Sequence, residues 1–492
     1  MKKFAWLAVL GAMLLPSAAQ ADGIDVKVKG EWDFAFGWAT NQGDGLRGGR
    51  YDTRADDNFI ARQRIRTQIN FIASEYLQGV LMFEIGDINW GQDDGGKNGP
   101  GSGGGLDADG VNVETKRAYL DWLIPNTEVS VRMGIQGVSL PMANGYTNPV
   151  FSADVAGIVV NTPITDMVGI TAFWLRPFNH NLNDTNDDRV YGDYQNDEMD
   201  MFGLTLPVTG DGWSVTPWGM YSRIGNASGY YEYLADVTGH EMGLNSDWDG
   251  DSGANAWWAG LSSQVDVWDP LTFGFDVMYG SLSKADIAMD NPASNSGLSH
   301  FGTKGWFAEA ALNYKLDWAT PGIFGWYSTG DDYSDVKNGQ FGHIPVVGVD
   351  DGFGPTSMGM PGGFNIGTDT VISLTGVGTW GVGLQLAEVS FIEDLTHTLR
   401  VAYYQGTNDN DVVKKWSGGN DDYVPHTGGE TIYLTTKDHA WEVNFDHQYE
   451  IYENLTAVLE LGYINLHLDS DTWTDYKTDD AWKAQVLFQY HF

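Results

Sequence analysis

Hydrophobic and polar positions alternate along most of this chain with a period of two. Leu271, Phe273, Phe275, Val277 and Tyr279 share one side of an extended segment, with Thr272, Gly274, Asp276 and Met278 on the other. Trp306, Ala308, Ala310, Leu312, Tyr314, Leu316 and Trp318 oppose Phe307, Glu309, Ala311, Asn313, Lys315 and Asp317. Leu455, Ala457, Leu459, Leu461 and Tyr463 oppose Thr456, Val458, Glu460, Gly462 and Ile464. The chain ends in the same way: Trp482, Ala484, Val486, Phe488, Tyr490 and Phe492 face away from Lys483, Gln485, Leu487, Gln489 and His491. Successive side chains of a strand point to opposite faces, so each segment predicts a strand with one apolar and one polar, partly charged face.

Short links of turn residues join these segments in pairs: Ser74 and Glu75, the tetrapeptides at 124–127, 162–165, 209–212 and 319–322, Asp269 and Pro270, Glu393 and Asp394, Glu453 and Asn454. Long links rich in Asp, Asn and Gly, such as 179–197, 226–253 and 331–370, alternate with them. Eight hairpins, with a first strand near 24–38 and a last strand ending at Phe492, make 18 strands. One misread hairpin would leave 16, because bacterial single-chain barrels have even strand numbers. An exposed apolar strand at the end of a soluble chain invites aggregation. A closed barrel in a bilayer covers that face with lipid and pairs that edge with the first strand. The expected fold is therefore all-β: a transmembrane antiparallel barrel of 18 strands, with the short links as periplasmic turns and the long ones as extracellular loops. Trp or Tyr brackets several strands, as at Trp306 and Trp318, Trp257 and Trp268, Trp441 and Tyr449. Such rings favour the headgroup zone and read as interfacial girdles.

The N-terminus sets the compartment. Lys2 and Lys3 precede an apolar run from Phe4 to Leu15 and the small-residue site Ala19, Gln20, Ala21, which is the layout of a secretory signal peptide. Residues 1–21 are read as that peptide and 22–492 as one barrel domain. The net charge is −39. Removing 1–21 takes two lysines and no acid, and so leaves −41. Such a charge argues against nucleic-acid binding, which needs clustered cations. Hydrophobic content of 42% and aromatic content of 13% argue against disorder. A mean hydropathy of −0.28 is compatible with a barrel, in which only every second strand residue meets lipid. There is no cysteine.

Arg62, Arg64 and Arg66 share a face with Gln68 and Asn70, opposite Ile65, Ile69 and Phe71. An arginine facing lipid at mid-depth costs about 2–4 kcal/mol, so the three must face the lumen. At ~7 Å spacing, neighbours repel by about 0.6 kcal/mol in water but by ~2.4 kcal/mol at an effective dielectric of 20. A water-filled lumen with acidic partners tolerates the ladder. By the same alternation Arg117, Tyr119 and Asp121 face inward opposite Ala118, Leu120 and Trp122, and Arg132 faces inward with Gln136. Strands two, four and five are thus expected to form a basic wall.

The segments Arg117 to Trp122 and Val131 to Gln136, followed by a link, resemble the stretch leading into the constriction loop of trimeric Gram-negative porins. With the leader, the acidic composition and the terminal Phe492, the chain resembles the outer-membrane homotrimeric porins of sulfate-reducing, Desulfovibrio-type bacteria. That resemblance implies passive diffusion of small hydrophilic solutes and ions through a homotrimer in the outer membrane, among lipid and lipopolysaccharide. It implies that Tyr490 and Phe492 are read by the barrel-assembly machinery. It also implies a third loop, about 139–156, folded into the lumen opposite the basic wall. Asp154 is the only acid in that stretch, so Glu84 and Asp121 are candidates for further counter-charge. A substrate-specific porin for anions or sugars, with Trp258 and Trp174 guiding the solute, is the alternative.

Other chemistry is poorly supported. The ten histidines are scattered, without Ser/His/acid or metal spacing, so no enzyme and no metal centre is expected. Asp247, Asp249 and Asp251 resemble the opening of a calcium loop, but the sixth-position glycine and distal glutamate of an EF-hand are missing. Weak Ca²⁺ binding among acidic loops is left open, and no cofactor is expected.

Overall fold

The computed structural model describes residues 23–40, 58–91, 104–105, 113–180, 197–238, 244–245, 253–289, 300–350, 352–362, 371–416, 431–473 and 480–492. The expected leader and the 247–251 acidic run lie outside them. Eighteen long strands follow one another: β1 (Asp25–Ala39), β2 (Asn58–Ser74), β3 (Leu77–Asn89), β4 (Val113–Leu123), β5 (Ser130–Ser139), β6 (Phe151–Thr165), β7 (Val168–Asn179), β8 (Glu198–Thr205, resumed at Val208–Gly210), β9 (Trp213–Ile224), β10 (Ala254–Trp268), β11 (Leu271–Ala285), β12 (Phe301–Tyr314), β13 (Thr320–Ser328), β14 (Thr379–Ile392), β15 (Leu395–Gly406), β16 (His439–Tyr452), β17 (Leu455–His467) and β18 (Ala481–His491). Each pairs antiparallel with the next. β18 pairs with β1 from Glu31 opposite His491 to Ala39 opposite Lys483. The barrel is closed, and no strand edge is left over. Gly30 and Phe492 extend the seam by exchanging two backbone hydrogen bonds of 3.0 Å. Among the described residues no helix is long and apolar enough to cross a membrane.

The alternation read from the sequence sets the two faces. Trp306, Leu312 and Tyr314 of β12 are exposed on the outside, whereas Phe307, Glu309 and Ala311 are buried inside. Three of the four tetrapeptide turns differ from expectation; at 209–212, Thr209 and Gly210 belong to the resumed part of β8 and the chain reverses at Asp211 and Gly212. The tetrapeptide 162–165 lies within β6, and the chain reverses at Asp166 and Met167. Pro163 is tolerated there because it pairs with Gly169 next to a register shift near the strand end. Thr320, Pro321 and Gly322 likewise belong to β13. The link expected at 139–156 is shorter: β5 ends at Ser139 and β6 begins at Phe151.

The interior also differs from a uniformly wet lumen. The inward face of β7–β10 is apolar, with Phe173, Leu175, Met199, Met201, Trp218, Met220 and Trp258 all buried. These side chains join one cluster with Tyr230, Tyr231 and Leu234 of helix α1 (Tyr230–Val237) and with Ile344, Val346 and Val347 of the link 329–378. That link is fastened at several points. Trp258 donates its indole N–H to the Pro345 carbonyl at 2.8 Å. Residues 348–349 pair in parallel with 151–152. The N–H groups of Met358 and Gly359 donate to Glu442 at 3.2 and 3.1 Å. Packing fades along the strands: in β16 Ala440, Glu442 and Asn444 are buried, Asp446 is half-buried and Gln448 is exposed. The short-turn end of the interior is therefore open to solvent and the other end is largely filled.

Candidate pore-lining residues

The register of β1 with β2 decides the surroundings of the arginine ladder. Arg64 sits opposite Asp33 and Arg66 opposite Glu31, while Trp32 pairs with Ile65 on the outer face. Arg66 Nε meets Glu84 Oε2 at 2.5 Å, and its Nη1 meets Glu31 Oε1 at 3.2 Å. Arg64 lies 3.6 Å from Asp33 and 3.9 Å from Asp87. Arg62 lies 3.9 Å from Asp87 and donates to Asn89 Oδ1 at 2.7 Å. Lys116 bridges onward, 3.7 Å from Glu84 and 3.0 Å from Asp154. Arg117 Nε donates to Asp154 Oδ1 at 2.6 Å.

Five cations thus meet five carboxylates in a two-part network: Arg62 and Arg64 pair with Asp33 and Asp87, while Arg66, Lys116 and Arg117 pair with Glu31, Glu84 and Asp154. The expected basic wall is a patch of balanced, alternating charge. Pairing also removes the like-charge cost that made a dry setting unfavourable for the ladder. Asp154 meets the cations from strand β6, where it pairs with Gly137, and not from a loop. A cavity of about 480 Å³ opens onto this network. Arg64, Arg66, Glu84, Lys116 and Asp154 line its wall side, and Tyr233 and Asp350 belong to the links.

The remaining candidates form a separate group. Asp121 takes a bidentate ion pair from Arg132, at 2.6 and 3.0 Å, and Arg132 lies 4.4 Å over the Tyr119 ring. Arg117 and Asp121 are four residues apart on β4, or ~13 Å at strand rise. A second cavity of about 400 Å³, lined by Tyr76, Gln78, Asp121 and Arg132, lies at the short-turn end. Trp258 is buried under Pro345. Trp174 shares its face with exposed Phe202, opposite buried Phe173 and Leu175. Neither tryptophan lines a lumenal track.

Sequence reasoning passed over Glu31, Asp33, Asp87 and Lys116. Glu31 and Asp33 carry a usable signal, since they alternate on β1 with the period of the arginines on β2. Asp350 carries none: its carboxylate reaches the Asp154 N–H at 3.3 Å across 196 residues of sequence.

No family model matches this chain, and no curated protein sequence matches it. Solved structures similar to it include OpdK of Pseudomonas aeruginosa with vanillate, at 10% identity, TM-score 0.47, over 96% of this chain and 100% of that one. OprD of the same organism is similar at 12% identity, TM-score 0.47, over 97% and 98%. OccAB4 of Acinetobacter baumannii is similar at 8% identity, TM-score 0.49, over 95% and 98%.

Proposed function

We propose that this chain is an outer-membrane diffusion channel for small hydrophilic solutes and ions. The observation that carries the reading is a charge-lined cavity inside a closed ring of strands whose outer face is apolar. Lipid accepts such an exterior, and closure satisfies the backbone without water. In this reading residues 1–21 are the export signal, Tyr490 and Phe492 serve assembly, and three copies associate among lipid and lipopolysaccharide. The link 140–150 narrows the interior, and solutes pass along β1–β6 beside Arg64, Arg66, Lys116 and Arg117. Ions of both signs find counter-charges on this path, so the narrow section selects by size and charge arrangement as well as by sign.

A solute-selective form of the channel is favoured by the buried cluster that fills the interior along β7–β10. The experiment is reconstitution of the purified chain in a planar bilayer under a salt gradient. Conductance steps in groups of three are expected. Replacing Arg62, Arg64 and Arg66 together by Gln strands Glu31, Asp33 and Asp87, leaves Glu84 with Lys116, and shifts the reversal potential toward cations. A folded barrel that gives no steps overturns the channel reading. An unchanged reversal potential removes the route along β2.

A further inference from the structure

Strand β16 carries two histidines on its outer face, His439 at its start and His447 past its midpoint. Each faces a histidine on a neighbouring strand: His447 lies opposite His397 of β15, and His439 opposite His467 of β17. Four of the ten histidines that look scattered in the sequence are therefore gathered into two cross-strand pairs. The face is the outer one, since Leu399, Val401, Trp441, Val443 and Phe445 at the same parity are exposed.

The two pairs differ in geometry. In the His439–His467 pair the rings pack at 4.9 Å with planes tilted by 39°. In the His397–His447 pair the planes stand at 83° and the two Nδ1 atoms converge to 2.6 Å. The Phe445 ring, 4.2 Å from that of His447, supports the arrangement. A neutral imidazole has one N–H and one lone pair. Two Nδ1 atoms aimed at one point either share a single proton or offer two lone pairs to one acceptor. Nitrogens on a tetrahedral Zn²⁺ stand ~3.3 Å apart, given bond lengths of about 2.0–2.1 Å. A small opening of the rings reaches that spacing.

The surroundings admit a cation. The same-face neighbours are Leu399, Phe445 and Tyr449, with Val389 and Leu459 opposite in register, so no lysine or arginine on these strands faces the pair. Tyr449 and Tyr452 are exposed beside it at the short-turn end, the zone where aromatic girdles meet headgroups. Among the described residues no group of three or more His, Cys, Asp or Glu is placed to hold a metal. Water or a phosphate oxygen must therefore complete the coordination.

We propose that His397 and His447 form a two-imidazole site on the outer wall for a borderline divalent transition-metal ion of the Zn²⁺, Ni²⁺ or Cu²⁺ class. Imidazole suits these ions, and it discriminates against Ca²⁺ and Mg²⁺, which prefer oxygen. The site is independent of solute passage, so its failure and that of the channel reading are separate results.

The test uses the untagged full-length protein in detergent micelles, with excess Ca²⁺ to occupy carboxylate sites on this acidic chain. Zn²⁺ is titrated calorimetrically, and Cu²⁺ is bound in parallel for electron paramagnetic resonance. One Zn²⁺ per chain is expected, with two-nitrogen hyperfine structure on Cu²⁺ and loss of binding as the imidazoles protonate in acid. His397→Ala and His447→Ala should each weaken binding at least about tenfold, because a chelating pair becomes a single ligand. His439→Ala should leave it unchanged. Resistance to detergent-induced unfolding at room temperature verifies that each variant is still a barrel. Undiminished affinity in the His397→Ala, His447→Ala double variant overturns the proposal. So does a loss that follows His439 and His467 instead, or the absence of saturable Zn²⁺ binding by the unaltered chain.

Discussion

Asn144 donates its side-chain amide to both carboxylate oxygens of Glu309, at 2.8 and 3.1 Å, across 165 residues of sequence and a third of the barrel wall. Beside it the Ala143 N–H donates to Asp276 Oδ2 at 2.8 Å. The link between β5 and β6 is thus fastened to β11 and β12. Asn144 adopts φ 58°, a left-handed conformation that asparagine tolerates better than most residues. Gly274 on β11 makes room for it, since a Cβ there would collide with the Asn144 amide.

Asn144→Ala should release this link. Glu309 is buried, and losing its donor costs about 1–3 kcal/mol. In the proposed channel the variant should show larger single-channel conductance and more open-state noise. Gly274→Ala, which crowds the amide from the wall side, should act in the same direction. Unchanged conductance in both would mean that the link 140–150 does not narrow the path.

Much of this architecture was legible because it is local. The two faces of β12 and β18 follow from alternation alone, and the short links count out 18 strands. Where the sequence misled, longer-range partners decide the outcome. Pro163 reads as a turn residue until Gly169 is placed opposite it. Phe173, Leu175, Met199 and Met201 do not reveal whether their face meets water or another segment. They are buried because α1 and the link 329–378 pack with them, and the Trp258–Pro345 hydrogen bond that helps fix that link spans 87 residues. The arginine ladder stood out because three like charges in alternation are costly. Its neutralisation by Glu31, Asp33 and Asp87 depends on inter-strand register and on the irregular pairing of β2 with β3.

Lys483 offers a test of how the link 329–378 is held. Its side chain is fully buried on the inner face of β18, 2.8 Å from Glu460 Oε2, and it donates to the Ser357 carbonyl. Lys483→Met leaves Glu460 without its cation inside the barrel, and breaking a buried pair costs about 3–5 kcal/mol. The temperature at which the barrel unfolds in detergent, followed by gel mobility, should fall clearly. Adding Glu460→Gln should recover part of that loss, because the uncompensated charge is then gone. A double variant no more stable than Lys483→Met alone would show that the Ser357 tether, and not the ion pair, carries the effect.

Arg400 and Val401 allow the membrane placement itself to be tested on adjacent residues. Arg400 faces inward, where Nη1 donates to Asp446 at 2.7 Å, and Val401 faces outward midway along β15. If lipid covers the outer face, Val401→Arg places an unpartnered guanidinium in hydrocarbon, at a cost of about 2–4 kcal/mol near the midplane. Thr398→Arg puts the same side chain on the inner face, opposite Asp446 in register. That variant should fold close to normally. Refolding of both into lipid vesicles, with denaturant titration of the inserted barrel, measures the difference directly. Val401→Arg should insert less efficiently and unfold at lower denaturant than Thr398→Arg. Equal behaviour would mean that the exposed apolar band does not face lipid, and the reading of this barrel as a membrane channel would fail with it.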